Sequence, residues 1–98
     1  MFEKLVSDAR YEWMDTNHVK LASAEAVTIQ PGQVQVIHTG LYTHEPLALS
    51  FQKGAGKFDM CALLTTALTD EQEIKVSILN RGTDPVTIVP REWLGVGW

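Results

Sequence analysis

The sequence predicts an all-β domain, a small β-barrel or β-sandwich, and two observations support this class. Short segments alternate apolar and polar residues with period two, most clearly where Ile74, Val76 and Ile78 alternate with Lys75 and Ser77. Clusters of turn-forming residues separate these segments at the spacing of about 8–12 residues that is typical of sandwiches and barrels. One domain is expected, since 98 residues suffice for a single modest core.

Each predicted strand lies between residues that interrupt regular structure. Pro31-Gly32 is a turn signal, Gly40 is expected to end the strand before it, and 52–57 reads as a glycine-containing loop. The segment Phe58–Leu68 suits either a helix or a strand, and its neighbours favour a strand. The predicted strands are His18–Ala22, Ala26–Gln30, Val34–Ile37, Leu47–Phe51, Phe58–Leu68, Ile74–Leu79, Val86–Ile88 and Trp93–Trp98.

Residues 1–15 are predicted to form an N-terminal arm, and residues 16–98 a single β-barrel domain. The arm could instead begin as a short helix, because Phe2, Leu5, Val6 and Ala9 are spaced as one helical face. Tryptophan and tyrosine are enriched at the centres of protein interfaces. The candidate interface residues are Phe2, Leu5, Tyr11, Trp13, Trp93 and Trp98.

Composition excludes several classes of function. The chain has 12 acidic and 8 basic residues, a net charge of −4, and this balance argues against a nucleic-acid partner. Its apolar runs are far shorter than the ~20 residues of a transmembrane helix, so we expect no membrane partner and no signal peptide. Cys61 is the only cysteine, which excludes an internal disulfide and a thiolate metal cage.

Several kinds of polar residue are candidates for sites. His18, His38 and His44 are expected to be isolated, and Cys61 a buried small hydrophobe. Lys53 and the glycine loop 54–57 suggest a phosphate cradle, although a flexible hairpin tip is the simpler reading. The acidic residues of two turns lack the regular offsets of a calcium loop. No catalytic, cofactor-binding or metal-ligating residue is assigned.

Two stretches resemble the β-barrel of the trimeric dUTPase family. The first is Val27–Gly32, ending in Pro-Gly, followed by Thr39-Gly40-Leu41; the second is Glu73–Ile88, with Asn-x-Gly, an acidic residue and Thr-Ile. The resemblance extends over Ala26–Leu94. It implies a dUTPase-like β-barrel, a trimer, and hydrolysis of a nucleoside triphosphate between the α- and β-phosphates with Mg²⁺.

The chain departs from the first three motifs of that family. Where the family has a metal-associated Asp, the strand His18–Ala22 has Lys20. Where the family has Pro-Arg-Ser-Gly, the segment Phe51–Gly54 keeps the Gly and lacks the Arg and Ser. In Leu68–Glu73, which corresponds to the third motif, Asp70 is a possible remnant and the Tyr is missing.

The last two motifs also differ, since Trp93–Val96 stands in place of Arg-Ile-Ala-Gln and no Gly-rich arm follows before Trp98. On this comparison we expect that the chain is not an enzyme. Transition-state stabilisation by phosphate ligands and a base contributes several kcal/mol, and most of those groups would be missing.

The resulting prediction is a non-enzymatic structural protein, a homotrimeric capsid decoration (cement) protein of a tailed bacteriophage. Its arm would attach it to the major capsid protein or another virion protein. It would fold in the host cytoplasm and reside on the capsid surface of the virion. Two alternatives stay open: a nucleotide-binding or regulatory domain without hydrolysis, in which Lys53 contacts phosphate, and a divergent nucleotide pyrophosphatase.

Overall fold

The computed structural model describes residues 2–51 and 56–98, and regular structure in this part is almost entirely β. A 3₁₀ helix at Gly56–Phe58 is the exception, so the described part holds no helix that could span a membrane. The predicted all-β class is confirmed. The strands are β1 Phe2–Lys4, β2 Tyr11–Trp13, β3 Val19–Ala22, β4 Val27–Ile29, β5 Val34–Thr43, β6 Leu47–Ser50, β7 Cys61–Leu63, β8 Ala67–Leu68, β9 Gln72–Asn80, β10 Val86–Ile88 and β11 Trp93–Gly97.

Two antiparallel sheets enclose the core. One has four strands in the order β1-β5-β9-β7, and the other has five in the order β2-β3-β11-β6-β8. The pair β10-β4 forms a separate two-stranded ribbon. Both sheets and the ribbon contribute apolar side chains to one cluster, as expected for a closed barrel or sandwich. The largest fully buried apolar side chains are Val19, Leu21, Ile29, Ile37, Leu41, Ile74, Ile78 and Ile88.

Gly40 does not end its strand, and the prediction of a break there is wrong. β5 continues to Thr43, and its register against β9 shifts between His38 and Tyr42, which marks a β-bulge. Gly40 has φ +70°, and a Cβ built there would lie 2.5 Å from the Val6 Cγ2 atom. Glycine is needed at this position because it tolerates a left-handed backbone and lets the N-terminal segment approach.

Residues 2–4 and 11–13 are strands and residues 5–8 form bends and a turn between them, so the helical alternative for this segment is wrong. β1 pairs with β5 at the edge of the four-stranded sheet, and β2 pairs with β3 at the edge of the five-stranded sheet. Ala9, between the two strands, is buried in the core. The N-terminal segment therefore extends both sheets of the same barrel.

The segment predicted as one strand at Phe58–Leu68 is divided between the two sheets. β7 pairs with β9, whereas β8 pairs with β6. Leu64 to Thr66 connect them, and the Thr65 hydroxyl accepts a hydrogen bond from the Ser77 backbone N–H at 3.0 Å. The apolar residues that suggested a helix belong partly to a crossing between sheets.

Candidate functional site

An open groove of about 420 Å³ lies at the end of the predicted phosphate loop and is here called the turn groove. The 3₁₀ helix forms one side and the turn between β9 and β10 forms the other. Its size is within the range of small-ligand sites, about 300–1,000 Å³. It is lined by Gly56, Lys57, Met60 and the segment 80–87.

Asn80 gives the turn its shape. Its side chain is fully buried, and its Nδ2 donates to the Ile29 carbonyl at 2.9 Å and to the Asp84 carbonyl at 2.8 Å. Its Oδ1 accepts from the Gly82 N–H at 2.9 Å. The side chain therefore pairs with the buried Ile29 carbonyl and with two part-buried backbone groups of the turn, and it fixes the position of the turn.

Two cations and one acid line the turn groove. Lys57 donates to the Thr87 carbonyl at 2.7 Å and pairs with the Glu92 carboxylate, so its charge is largely compensated. Arg81 has no carboxylate within 4.0 Å among the residues the structure describes. Arg81 and Asp84 are thus the charges that the groove offers to a ligand.

The phosphate cradle predicted around Lys53 falls partly outside the described residues. Lys53 and Gly54 belong to 52–55, for which the structure gives no description. Gly56 and Lys57, the end of the same loop, line the turn groove. The last two residues of the predicted loop therefore form part of the turn groove.

The predicted interface aromatics form a cluster on the N-terminal edge. The Phe2 ring stacks on Trp13 at a centroid distance of 5.8 Å and meets Tyr11 edge-on at 5.3 Å. Phe2, Trp13 and Trp98 line one cleft of about 180 Å³ between the two sheets. Trp13 is 42% exposed and Trp98 52% exposed, so the cleft carries apolar surface into solvent.

The other two predicted interface residues lie apart from that cleft. Leu5 is 51% exposed and its backbone N–H donates to the Gly40 carbonyl. Trp93 is half-buried, and its ring is contacted by the Arg10 guanidinium at 4.0 Å and the Lys20 ammonium at 4.6 Å from the centroid. This cation–π arrangement was not predicted, because residues 10, 20 and 93 are brought together by pairing of β3 with both β2 and β11.

Each histidine lies beside a carboxylate. His18 contacts Asp15 and His38 contacts Glu73, at 2.9 and 3.1 Å. His44 bridges two acids, with Nε2 at 3.1 Å from Glu3 and Nδ1 at 3.1 Å from Glu71. Hydrogen bonds to Glu71 and then Glu3 raise the pKa of His44.

These groups do not form a metal centre within residues 2–51 and 56–98. No set of three or more His, Cys, Asp and Glu side chains there has the geometry to hold an ion. Cys61 is buried at the start of β7, and burial raises the pKa of its thiol. A protonated, enclosed thiol is a poor nucleophile and a poor metal ligand.

The outer face of the four-stranded sheet, here called the outer sheet face, carries an apolar patch that was not predicted from the sequence. Residues directly opposite one another in a sheet share a face. The register places Val34, Leu79 and Ala62 in one row. The next row holds Val36, Ser77 and Leu64. Val34, Val36 and Leu64 are each about half exposed, and neither row contains a charge.

Together, the two sheets, the ribbon and the bulged β5 define a β-barrel of the dUTPase type. Solved structures of phage dUTPases share this fold. A mutant dUTPase from phage phi11 of S. aureus, whose structure shows coordination of a structural Mg(II) ion, matches with a TM-score of 0.87 and 14% identity. The match covers 99% of this chain and 86% of that chain.

The dUTPase of Staphylococcus bacteriophage 80alpha matches equally well, with a TM-score of 0.87, 14% identity, and coverage of 99% of this chain and 86% of that one. A mutant of the same dUTPase with dUpNHpp matches with a TM-score of 0.86, 14% identity and coverage of 99% and 79%. No family model and no curated protein matches the chain. At 14% identity, these likenesses establish the fold.

The comparisons contradict the prediction that the chain is not an enzyme, because the solved structures that share its fold are dUTPases. That prediction came from residue types at positions assigned by short motifs. At 14% sequence identity, this chain and the phage dUTPases share their fold. The residue types in short motifs are then a weak guide to which side chains lie together in a site. The side chains that line its grooves therefore decide which chemistry the chain can support.

Proposed function

We propose that the chain is a divergent nucleotide pyrophosphatase that binds a deoxynucleoside triphosphate in the turn groove. The observation that carries the proposal is the likeness of nearly the whole chain to dUTPases, one of which was solved with dUpNHpp. The turn groove supplies a second argument, because it is of ligand size and holds an arginine without a carboxylate partner among the described residues.

In this proposal Arg81 binds the phosphate chain. A guanidinium donates two parallel hydrogen bonds to phosphate oxygens and keeps its charge at any physiological pH. Lys57 lies on the opposite side of the groove, where its pair with Glu92 compensates most of its charge, so Arg81 carries the phosphate contact. Asn80 holds the backbone of the turn that carries Arg81, so this part of the site does not have to be ordered on binding.

Asp84 is the carboxylate that lines the groove. In the proposed reaction, water attacks the α-phosphorus, its proton passes to the Asp84 carboxylate, and the bond to the β-phosphate oxygen breaks. The products are the monophosphate and pyrophosphate. Removal of the proton by a carboxylate near the attacking water contributes about 10²–10⁴-fold to such reactions.

Mg²⁺ is the ion coordinated in the phi11 dUTPase structure, and the groups described here do not fit it on their own. The described residues contain no cluster of three ligating side chains, and Asp84 is the one acid in the turn groove. No step of the proposed mechanism is therefore routed through a metal.

We also propose that the chain functions as a homotrimer. The outer sheet face supports association with further copies, because an antiparallel sheet that has one face in the core normally exposes polar residues on the other. Here two adjacent rows are uncharged and largely apolar. Association would cover Val34, Val36 and Leu64.

The experiment that tests the proposed function combines calorimetric binding with pyrophosphate release, for dUTP and the other deoxynucleoside triphosphates. We expect Arg81→Gln to weaken nucleotide binding by about tenfold or more, as expected for loss of a charge-assisted hydrogen bond. Asp84→Asn should lower kcat by at least 10²-fold with little effect on binding. Lys75→Gln removes one charge from β9, outside the groove, and serves as the control.

Absence of binding for every nucleotide would reject the proposal. Binding without pyrophosphate release would reject the hydrolytic step and leave a nucleotide-binding protein. Equal effects of Arg81→Gln and Lys75→Gln would show that the turn groove is not the binding site.

We propose as a second function that the chain attaches to a bacteriophage capsid. Its partner would be the major capsid protein or another virion protein, and it would lie on the capsid surface. The aromatic cleft of Phe2, Trp13 and Trp98 supports it, because exposed tryptophans are typical anchors of protein interfaces. Cosedimentation with capsids tests it. We expect binding by the unmodified chain and loss of binding in Trp13→Ala and Trp98→Ala, with Met60→Ala as an exposed apolar control.

A further inference from the structure

A second groove, of about 500 Å³, lies beside the N-terminal segment and is separate from the aromatic cleft. We call it the hairpin groove. It is formed where β1, β2 and the turn before β11 come together. Three of the chain's eight basic residues line it. The lining residues are Lys4, Ala9, Arg10, Tyr11, Glu12 and Arg91.

The positive charge of this groove is unusual for the molecule. The chain has a net charge of −4, and Glu12 is the one acid among the lining residues. None of Lys4, Arg10 and Arg91 has a carboxylate within 4.0 Å in the described parts of the chain. Clustered cations without counter-charges repel each other, and a bound anion relieves that repulsion.

Backbone contacts hold the two guanidinium groups in place. Arg10 donates from one terminal nitrogen to the Arg91 carbonyl at 2.8 Å, and Arg91 donates from one to the Asp8 carbonyl at 2.9 Å. Each therefore keeps further N–H groups free to donate. Arg91 lies in the tight turn before β11 and has φ +69°, a left-handed conformation that is uncommon outside glycine.

The half-buried Trp93 ring packs against basic residues of this region. Arg10 and Lys20 both approach it, so a fourth basic residue lies next to the groove. Glu12 contacts Lys20 only at 4.0 Å. Arg10 thus packs against an aromatic ring and a backbone carbonyl, and Arg91 bonds to a backbone carbonyl, so the positions of these two guanidinium groups do not depend on ion pairs.

From this arrangement we propose that the hairpin groove binds a chain of adjacent phosphate groups, as found in inorganic polyphosphate or in the tail of a nucleotide. Three cations around one groove match several neighbouring negative charges better than a single carboxylate. Two of them are arginines, whose forked donors suit phosphate oxygens. Tyr11 lies in the lining and offers an aromatic face to a base if the phosphates belong to a nucleotide.

This site is distinct from the turn groove, and the proposal does not depend on the proposed function. Calorimetric titration with inorganic tripolyphosphate tests it at low and high ionic strength. Lys4→Gln is the decisive variant, because the Lys4 side chain makes no hydrogen bond or ion pair with other described residues and its loss should not disturb folding. Arg10→Gln and Arg91→Gln are made in parallel, with their folding checked by circular dichroism.

We expect tripolyphosphate to bind with an affinity that falls as salt is added, and each of the three variants to weaken it by about tenfold. Lys75→Gln should leave it unchanged, and the same weakening by the three variants should be seen when Arg81→Gln has removed the phosphate-binding arginine of the turn groove. No binding at low salt, or equal weakening by Lys4→Gln and Lys75→Gln, would overturn the proposal. Weakening by Arg81→Gln with no effect of Lys4→Gln would overturn it in favour of the turn groove.

A comparison of tripolyphosphate with dUTP and ATP, in a variant that lacks Arg81, separates the two sources of phosphate. Tighter binding of a nucleotide that is lost in Tyr11→Leu indicates a nucleotide with base stacking. Equal affinities for all three indicate that the phosphate chain is the whole determinant. Both results support a phosphate site in the hairpin groove, and failure of all three ligands to bind contradicts it.

Discussion

Asn80 is the residue on which three backbone segments depend. Replacing it with alanine removes a buried hydrogen bond to the Ile29 carbonyl and two part-buried ones, to the Asp84 carbonyl and from the Gly82 N–H. We expect Asn80→Ala to lower the free energy of unfolding by about 3 kcal/mol, measured by urea denaturation. Asn17→Ala, at an exposed turn, is the control, and a similar small effect of both variants would contradict this role.

The sequence places Asn80 in a turn but does not reveal its burial. Its side-chain partner Ile29 is 51 positions away and belongs to the ribbon strand β4. Turn propensity depends on local backbone geometry, whereas this hydrogen bond depends on how the ribbon packs against β9. For the same reason the neighbours of His44 could not be predicted from the spacing of histidines.

His44 makes the stability of the protein depend on pH. Its protonated ring can donate to both Glu71 and Glu3, and these contacts raise its pKa above the ordinary value of 6.5. A group whose pKa is raised by folding contributes fully below its unfolded pKa, and the contribution is lost as pH rises through the folded value. The contribution of His44 should therefore be complete below pH 6.5 and disappear above the raised pKa.

We expect the free energy of unfolding to decline across that window in the unmodified chain and to decline less in His44→Gln. Urea denaturation at a series of pH values measures both. Other titratable groups near this site are Tyr42 and Asp70, and neither is changed by the substitution. His18→Gln, which removes a histidine with one carboxylate partner, should retain the His44 component. Identical pH profiles for the unmodified chain and His44→Gln would contradict the prediction.

At the scale of single elements, the bulge in β5 is where the N-terminal segment joins the barrel. A methyl group at position 40 would meet Val6 at 2.5 Å and the Cβ atoms of Ala9 and Ala24 at 3.3 Å, in a backbone with φ +70°. We expect Gly40→Ala to cost about 2–3 kcal/mol in urea denaturation, from overpacking and from the left-handed conformation.

Gly32→Ala is the matched control for that change. Gly32 has a similar φ of +77° but no atom within 4 Å of an added Cβ, so only the conformational part, about 1–2 kcal/mol, should remain. The double variant Gly40→Ala, Val6→Ala should recover part of the loss, because it removes the nearest colliding group. No difference between Gly40→Ala and Gly32→Ala would contradict a packing role for the bulge.

Elements with strict alternation were predictable, and elements shaped by long-range packing were not. β9 follows from the alternation of Ile74, Val76 and Ile78, since one face of it is buried. β1 and β2 are too short to show a period, and they are extended because the edges of β5 and β3 accept them. The split of Phe58–Leu68 likewise follows from pairing with two different sheets.

At the scale of the whole molecule, the class of fold could be predicted from sequence and its grooves could not. Pro31-Gly32, Thr39-Gly40-Leu41 and the Asn80 turn are conformational requirements of a barrel, so they persist in recognisable form. The turn groove and the hairpin groove each combine residues that are distant in sequence, such as Gly56 with Thr87 and Lys4 with Arg91. Charges that meet only in the folded chain leave no local pattern.

The outer sheet face leads to a prediction about assembly. Sedimentation should give about three times the 10.9 kDa mass of one chain, since self-association removes the apolar rows from water. Val36→Lys places a charge at the centre of that face and should shift the protein towards a monomer. Folding should persist in this variant, because Val36 is 48% exposed and its side chain lies outside the core.

Val89→Lys is the control, because Val89 is similarly exposed, at 51%, but lies in the turn between β10 and β11. A trimer that resists Val36→Lys and is disrupted by Val89→Lys would move the interface away from the outer sheet face. If instead Val36→Lys gives a folded monomer that still binds tripolyphosphate, the hairpin groove is complete within one subunit. Loss of nucleotide turnover in that monomer would mean that the turn groove needs a neighbouring copy.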